Sequence, residues 1–203
     1  MVATLDLIIF FLFRVLVFFV PIVLYKYTSE LFEFNKIVLV YVLAVLIGVS
    51  WAAKMLLQRK ILFRRTILDI PLTLFLLSQF ISSVLSFDVR TSFLGYYSRF
   101  NGGFIPTFSF ALFYWAWVSN MDAKKTLSAL KFLLVSAFLV SLYGVLERFG
   151  IDKDVWVQDV AERVFSTLGQ PNWLAAWLVA LIPITWALAL DAKKGLRDKK
   201  FWL

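Results

Sequence analysis

The sequence predicts an all-α membrane protein, a polytopic transmembrane helix bundle of about six spans with a short helix at the outer interface. Composition is the first reason. Hydrophobic residues make up 62% of the chain and charged residues 17%, against roughly 45–50% and 25% in soluble domains. The second reason is that the apolar residues gather into runs near the ~20 residues that a helix needs to cross a bilayer. No run alternates strictly between apolar and polar residues, so a transmembrane β-barrel is not favoured.

Each predicted span is an apolar run bounded by charged or turn residues. In chain order the spans are about Leu7–Leu24, Ile37–Leu57, Ile67–Ser86, Gly103–Ser119, Leu127–Leu146 and Trp173–Leu190. Prolines lie in or beside several of them, and membrane helices tolerate proline there. The first run follows six residues without positive charge, and no small-residue cleavage site comes after it. We therefore interpret it as a retained span and not as a signal peptide.

The lysine and arginine residues set the predicted orientation. Most of them lie in segments 54–66, 119–131 and 191–203, where few acidic residues accompany them. The positive-inside rule places these segments and both termini in the cytoplasm. The outer loops are then 25–36, 87–102 and 147–172. This bias accounts for the net charge of +8 without a nucleic-acid partner.

The longest outer loop, 147–172, has a helical pattern of its own. Its apolar residues recur at helical spacing. They are Val157, Val160, Ala161, Val164 and Leu168. Such a stripe predicts a helix that lies along the outer interface, with Trp156 and Trp173 as anchors. The whole chain, 1–203, is predicted to form a single transmembrane domain, and Phe201–Leu203 resemble the start of a further span.

The residue inventory excludes several kinds of chemistry. The chain contains no cysteine and no histidine, which removes thiolate nucleophiles, the commonest general base and the commonest metal ligand. No phosphate-binding glycine-rich loop with lysine and Ser/Thr is present, so nucleotide hydrolysis is not indicated. We predict no metal and no cofactor, and no pair of carboxylates identifies a catalytic acid and base.

Two outer stretches share one order of residues: an arginine, a turn and the start of an apolar run. They are Gly95–Pro106 (G-Y-Y-S-R-F-N-G-G-F-I-P) and Glu162–Ala175 (E-R-V-F-S-T-L-G-Q-P-N-W-L-A). Each would place an arginine beside unpaired N–H groups at the positive end of a helix, and Pro171 suits a first helical turn. Such an arrangement binds phosphate oxygens, and the diphosphate of a membrane lipid would lie at this depth. The predicted diphosphate-binding residues are Arg99, Gly102, Gly103, Arg163, Gly169 and Asn172. The competing interpretation is that both arginines only anchor helices to lipid headgroups.

Other polar residues inside or beside the spans admit two interpretations each. Arg14 lies near the middle of the first span. Either it faces the bundle interior as a buried charge, or its long side chain extends until the guanidinium reaches the membrane–water interface. The stripe Ser78, Ser82 and Ser86 either packs on a neighbouring helix, which is favoured, or lines a polar cavity. The outer carboxylates, Glu147 among them, are predicted to form a solvated face, and Glu162 is a candidate partner of Arg163.

At these residues the chain resembles the O-antigen ligase and O-antigen polymerase superfamily of bacterial inner-membrane proteins. The resemblance is carried by R-V-F-S-T-L-G-Q-P-N-W-L-A-A at Arg163–Ala176 and by Y-S-R-F-N-G-G at Tyr97–Gly103. Weaker similarity lies at 21–25 and 31–36. It covers most of the chain but only the N-terminal half of a typical member, which has about a dozen spans.

The resemblance implies transfer of a glycan from a polyprenyl diphosphate to an acceptor at the outer face of the bacterial inner membrane. The acceptor would be a glycolipid, a second glycan or a protein hydroxyl, and Arg99 and Arg163 would hold the diphosphate. Ligase members resemble one another in a large outer loop with a histidine thought to activate the acceptor, and this chain has no histidine. We therefore expect half of a site and no independent transferase activity. An anion transporter, motivated by Arg14 and the serine stripe, and a non-catalytic membrane scaffold are the alternatives.

Overall fold

The computed structural model describes residues 1–25, 27–28, 30–151, 153, 155 and 162–201, and only the backbone of 192–201. Every regular element in these residues is a helix, as predicted. The α-helices are α1 (Val2–Ile22), α2 (Glu33–Gln58), α3 (Asp69–Val84), α4 (Val89–Leu94), α5 (Phe104–Asn120), α6 (Ala123–Arg148) and α7 (Pro171–Phe201). A single-turn 3₁₀ helix, Ser166–Leu168, precedes α7.

Each predicted span coincides with one helix, but the helices differ in length. Within the described chain, four of them are long and apolar enough to cross a membrane: α1, α2, α6 and the Pro171–Asp191 part of α7. The remaining two, α3 with 16 residues and α5 with 17, are shorter than a full span. The protein is therefore an all-helical chain with at least four membrane-length helices, and six spans is the looser part of the prediction.

The chain folds into two compact units, Met1–Leu133 and Leu134–Leu203. The first unit is built on the apolar stripe of α2. Buried residues recur along α2 at intervals of three and four, which brings them to one face of the helix. They are Ile37, Val40, Leu43, Ala44, Ile47, Trp51 and Lys54. Helices α1 and α5 pack on this face, with Phe13 of α1 edge-on to both Phe113 and Trp117 of α5.

Polar contacts fix the two ends of this unit. At one end the buried Lys54 ammonium lies 2.5 Å from Asp6 Oδ1 of α1 and donates to Asn120 Oδ1 of α5 at 2.9 Å. At the other end Arg99, in the loop before α5, pairs with Glu33 at the start of α2. Helices α2 and α5 therefore run in the same direction and α1 runs against them. The sequence analysis counted Lys54 among the cytoplasmic charges of segment 54–66, although the predicted span ran to Leu57; in the structure Lys54 is buried within α2.

The connection between α2 and α3 has a defined hydrogen-bonded structure at each of its ends. Helix α2 ends with Arg59 in the left-handed region at φ 50°, where Arg59 and Lys60 donate to Leu56 and Met55 carbonyls. This is a Schellman ending without glycine. Further on, Thr66 N–H donates to Asp69 Oδ2, which closes the first turn of α3 as in a capping box.

Of the predicted serine stripe Ser78, Ser82 and Ser86, only Ser86 takes part in packing, together with the neighbouring Ser83. Ser83 is buried and its hydroxyl donates to the Ser92 carbonyl of α4 at 3.3 Å. The Ser92 hydroxyl donates in turn to Ser86 Oγ at 2.7 Å. These bonds hold the short helix α4 against the end of α3. Ser78 and Ser82 are exposed.

The second unit places the segment before α7 against the second half of α6. Ser136, Val140 and Glu147 of α6 are buried, as are Phe165 and Ser166. Close packing is possible because α6 carries Gly144, where a Cβ would lie only 3.1 Å from Val164 Cγ1. Most of the predicted interfacial helix, residues 156–161, lies outside the described residues.

Candidate functional site

The loop between α4 and α5 is folded back on itself by backbone hydrogen bonds. Tyr96 N–H donates to the Asn101 carbonyl at 2.9 Å, and Phe100 N–H donates to the Tyr96 carbonyl at 2.7 Å. The loop is also fastened to α2, because the Tyr41 hydroxyl donates to the Phe100 carbonyl at 2.7 Å. Phe100 lies in the left-handed region at φ 51°. This internal bonding gives the Arg99 side chain a fixed base.

The two predicted glycines of this loop have different structural reasons. At Gly103 a Cβ would lie 2.4 Å from Gly95 N and 2.6 Å from the Phe93 carbonyl oxygen, so only glycine fits. At Gly102 no atom lies within 4 Å of such a Cβ, but φ is +86°, a conformation that favours glycine. Gly103 thus lets the loop pack directly against the backbone of Phe93 and Gly95. Gly102 leaves open space beside Arg99.

Arg99 borders a polar cavity of about 450 Å³ at this end of the first unit. The cavity is lined by Glu33, Tyr96, Ser98, Arg99, Asn101 and Gly102. The Arg99 Nη1 donates to Glu33 Oε1 at 2.9 Å, and 47% of its side-chain surface is exposed. One bond leaves further guanidinium N–H donors available, because arginine carries five. The site therefore offers a positioned cation to a small polar group.

A second polar cavity, of about 320 Å³, lies on the α4 side of the same loop. Arg90 lies 5.7 Å from the Tyr97 ring centroid, and Asp88 caps the helix by accepting from Thr91 N at 3.1 Å. The Thr91 hydroxyl, which also donates to this carboxylate, lowers the pKa of Asp88, and the backbone N–H of Thr91 adds to the effect. Asp88 is therefore committed to the helix cap and stays ionised at neutral pH.

The Gly-Gln-Pro-Asn turn of the second unit is anchored by the residues that precede it. The wholly buried Glu147 accepts the Ser166 N–H at 2.7 Å through Oε2, and the Ser166 hydroxyl donates to the Val140 carbonyl at 2.6 Å. Ser166 itself has a left-handed conformation at φ 52°. The prediction that Glu147 belongs to a solvated face is wrong, since its carboxylate lies inside the unit and fixes the course of the loop.

The predicted site residues of the second unit lie on either side of this anchor. Gly169 ends the 3₁₀ helix in the left-handed region at φ 77°, and α7 begins at Pro171 in the predicted first-turn position. Asn172 is exposed in that first turn. Arg163 is exposed, and its pairing with Glu162 stays a prediction.

Arg14 is held inside the first unit. Its Nη2 donates to Ser128 Oγ at 2.5 Å, and its guanidinium lies 3.9 Å and 4.9 Å from the ring centroids of Phe10 and Phe132. Its Nε is buried without a hydrogen-bond partner in the described structure. Aromatic faces and one hydroxyl thus surround the charge, which fits the interpretation that Arg14 faces the bundle interior.

Sequence analysis missed two functional candidates, both of them carboxylates. Glu33 borders the Arg99 cavity, and Glu147 supports the turn before α7. A signal for Glu147 did exist: it follows Val140 and Gly144 at helical spacing on the face that α6 buries. Comparisons of the chain with protein-family models, curated proteins and solved structures found no match.

Proposed function

We propose that this protein binds the diphosphate of a polyprenyl-linked glycan and takes part in transferring that glycan to an acceptor at the outer face of a bacterial inner membrane. The observation that supports the proposal is the Arg99 cavity. It combines a half-exposed guanidinium, held on a rigid loop, with open space beside Gly102 at the start of an apolar helix. Both termini would lie in the cytoplasm, as the basic segments favour.

The chemistry of glycan transfer explains why such a cation matters. When the bond between the sugar and the diphosphate breaks, negative charge develops on the departing phosphate oxygens. A positioned guanidinium stabilises that charge more strongly in the transition state than in the bound substrate. Arg99 is the described candidate for this role in the first unit, and exposed Arg163 is the candidate in the second. The residue that would activate the acceptor is not assigned.

Glu33 gives the proposal a specific consequence. Its carboxylate accepts one hydrogen bond from the Arg99 guanidinium, through Nη1. A diphosphate would compete with this carboxylate or bind the remaining N–H donors beside it. Replacing Glu33 by glutamine should therefore strengthen diphosphate binding, whereas replacing Arg99 by alanine should weaken it.

The first experiment is binding of polyprenyl diphosphate to the purified chain in lipid nanodiscs. Loss of a charge-assisted hydrogen bond removes about 1.5–3 kcal/mol, so R99A should weaken binding by about 10- to 100-fold. R148A is the matched control, because Arg148 is also exposed and ends α6 at the same predicted side of the membrane. Equal affinity of the wild type and R99A would refute the role of Arg99.

The second experiment is glycan transfer in cells by the complete protein that would contain both halves of the site, with protein abundance measured beside it. R99A and R163A should abolish transfer at unchanged abundance, and R148A should not. Transfer that continues in both variants would favour a scaffold. Anion flux in proteoliposomes that depends on Arg14 would favour a transporter; the described contacts of Arg14, one hydroxyl and two aromatic rings, do not themselves suggest an ion path.

A further inference from the structure

A long apolar groove separates α3 from α5 on the surface of the first unit. It encloses about 500 Å³ and its walls are almost entirely hydrocarbon. The residues that matter here are Pro71, Leu72 and Phe75 on α3 and Phe110, Ala111 and Tyr114 on α5. Its volume lies in the range of small-molecule binding sites, about 300–1,000 Å³. Since these helices are predicted spans, we expect the groove to face the hydrocarbon of a bilayer.

One end of the groove is closed by a segment with two arginines. The Arg64 backbone N–H donates to Ser119 Oγ at 3.2 Å, and the Tyr114 hydroxyl donates to Thr66 Oγ1 at 2.8 Å. These bonds hold the α2–α3 connection against α5, and the connection reaches the groove at its lining residue Leu68. Arg64 and Arg65 lie in this segment with exposed side chains. They directly precede Thr66, which is bonded to the lining residue Tyr114, so their side chains originate beside this end of the groove.

The nearest carboxylate does not neutralise these arginines by a salt bridge. Asp69 accepts from Thr66 N–H, from the Thr66 hydroxyl and, at 3.2 Å, from Trp115 Nε1. Within the described residues the salt bridges are Lys54–Asp6 and Arg99–Glu33. Arg64 and Arg65 therefore keep their donors for an external anion.

We propose that this groove is a binding site for one anionic phospholipid of the surrounding bilayer. Its phosphate would bind Arg64 and Arg65, and one acyl chain would lie between α3 and α5. Basic pockets between membrane helices are known to select anionic headgroups. The arginines at the end of the groove suit the phosphate of such a lipid, and the apolar walls suit its acyl chain. This inference does not rest on the proposed glycan transfer, because it concerns the opposite end of the first unit from Arg99.

Native mass spectrometry of the full chain in detergent, with added phosphatidylglycerol or phosphatidylcholine, tests the proposal. One phosphatidylglycerol should be retained in preference to phosphatidylcholine. The double substitution R64Q/R65Q should weaken retention about 30-fold, from ~1 kcal/mol per basic residue at an anionic headgroup. K124Q/K125Q is the control, since it removes the same charge from the first turn of α6, and neither lysine lines the groove.

A second variant tests the groove separately from the charge. L72W fills the slot, because Leu72 is a half-buried lining residue of α3. L72W should lose the lipid. Both R64Q/R65Q and L72W should remain monodisperse, with unchanged helical circular dichroism, so that the loss is not due to unfolding. Equal retention of the two lipids, equal loss in K124Q/K125Q, or full retention in L72W would each overturn the proposal. If L72W does not fold, retention by F110W, which fills the other wall at an exposed position, decides the same point.

Discussion

The Lys54 cluster at the end of α2 gives the sharpest stability prediction. Replacing Asp6 by alanine removes the carboxylate that lies 2.5 Å from the Lys54 ammonium and leaves Asn120 as the described partner. Breaking a buried ion pair on one side costs about 3–5 kcal/mol, whereas an exposed pair is worth about 0.2–1 kcal/mol. The Lys54 side chain is 11% exposed and that of Asp6 is 32% exposed. We therefore expect D6A to lower the free energy of unfolding by about 2 kcal/mol.

The double variant D6A/K54M separates the charge from the packing. If the loss in D6A comes from a stranded ammonium, removing that ammonium should restore most of the stability, because replacing both partners by apolar groups is often neutral. Unfolding would be followed by circular dichroism during titration of mixed micelles with a denaturing detergent. E33A is the matched control: its ion pair with Arg99 is more exposed, so its loss should stay below about 1 kcal/mol.

Two results would refute this reasoning. A loss below about 0.5 kcal/mol in D6A would mean that water replaces the carboxylate freely. Additive losses in D6A and K54M would mean that the two side chains are not coupled, since coupled neighbours deviate from additivity.

Three further predictions follow from the remaining contacts. G103A should lower the thermal stability of the loop before α5 by more than G102A, because backbone atoms lie 2.4 Å and 2.6 Å from the new Cβ at Gly103 but none lies within 4 Å at Gly102; equal melting temperatures would contradict this. S128A should destabilise by about 1–3 kcal/mol by stranding the Arg14 guanidinium, whereas R14M should be neutral or stabilising, as detergent unfolding curves would record. S166A should lose about 0.5–1.5 kcal/mol through its buried bond to a carbonyl, and faster proteolysis of the segment before α7 would report it; unchanged cleavage would argue against the anchor.

The sequence alone was sufficient for the fold class and for the position of each membrane helix. A bilayer accepts only backbone whose hydrogen bonds are satisfied within the segment, so a spanning segment must be a helix of membrane length. An apolar run of that length in the sequence therefore identifies it. The first-turn position of Pro171 followed from its missing N–H. These features depend on neighbours in the chain, and so local patterns predict them.

The structure decided which polar residues are buried and which are free. Lys54 and Glu147 have the sequence context of loop charges, yet partners far along the chain enclose them: Asp6 and Asn120 for the first, Ser166 for the second. The same holds for Gly103, whose missing side chain makes room for Gly95 and not for a ligand. Helical periodicity describes which face a residue occupies, but burial depends on what packs against that face. That information exists only once distant segments have met. Tertiary structure alone therefore separates enclosed charges, such as Lys54 and Glu147, from charges whose side chains stay exposed, such as Arg163.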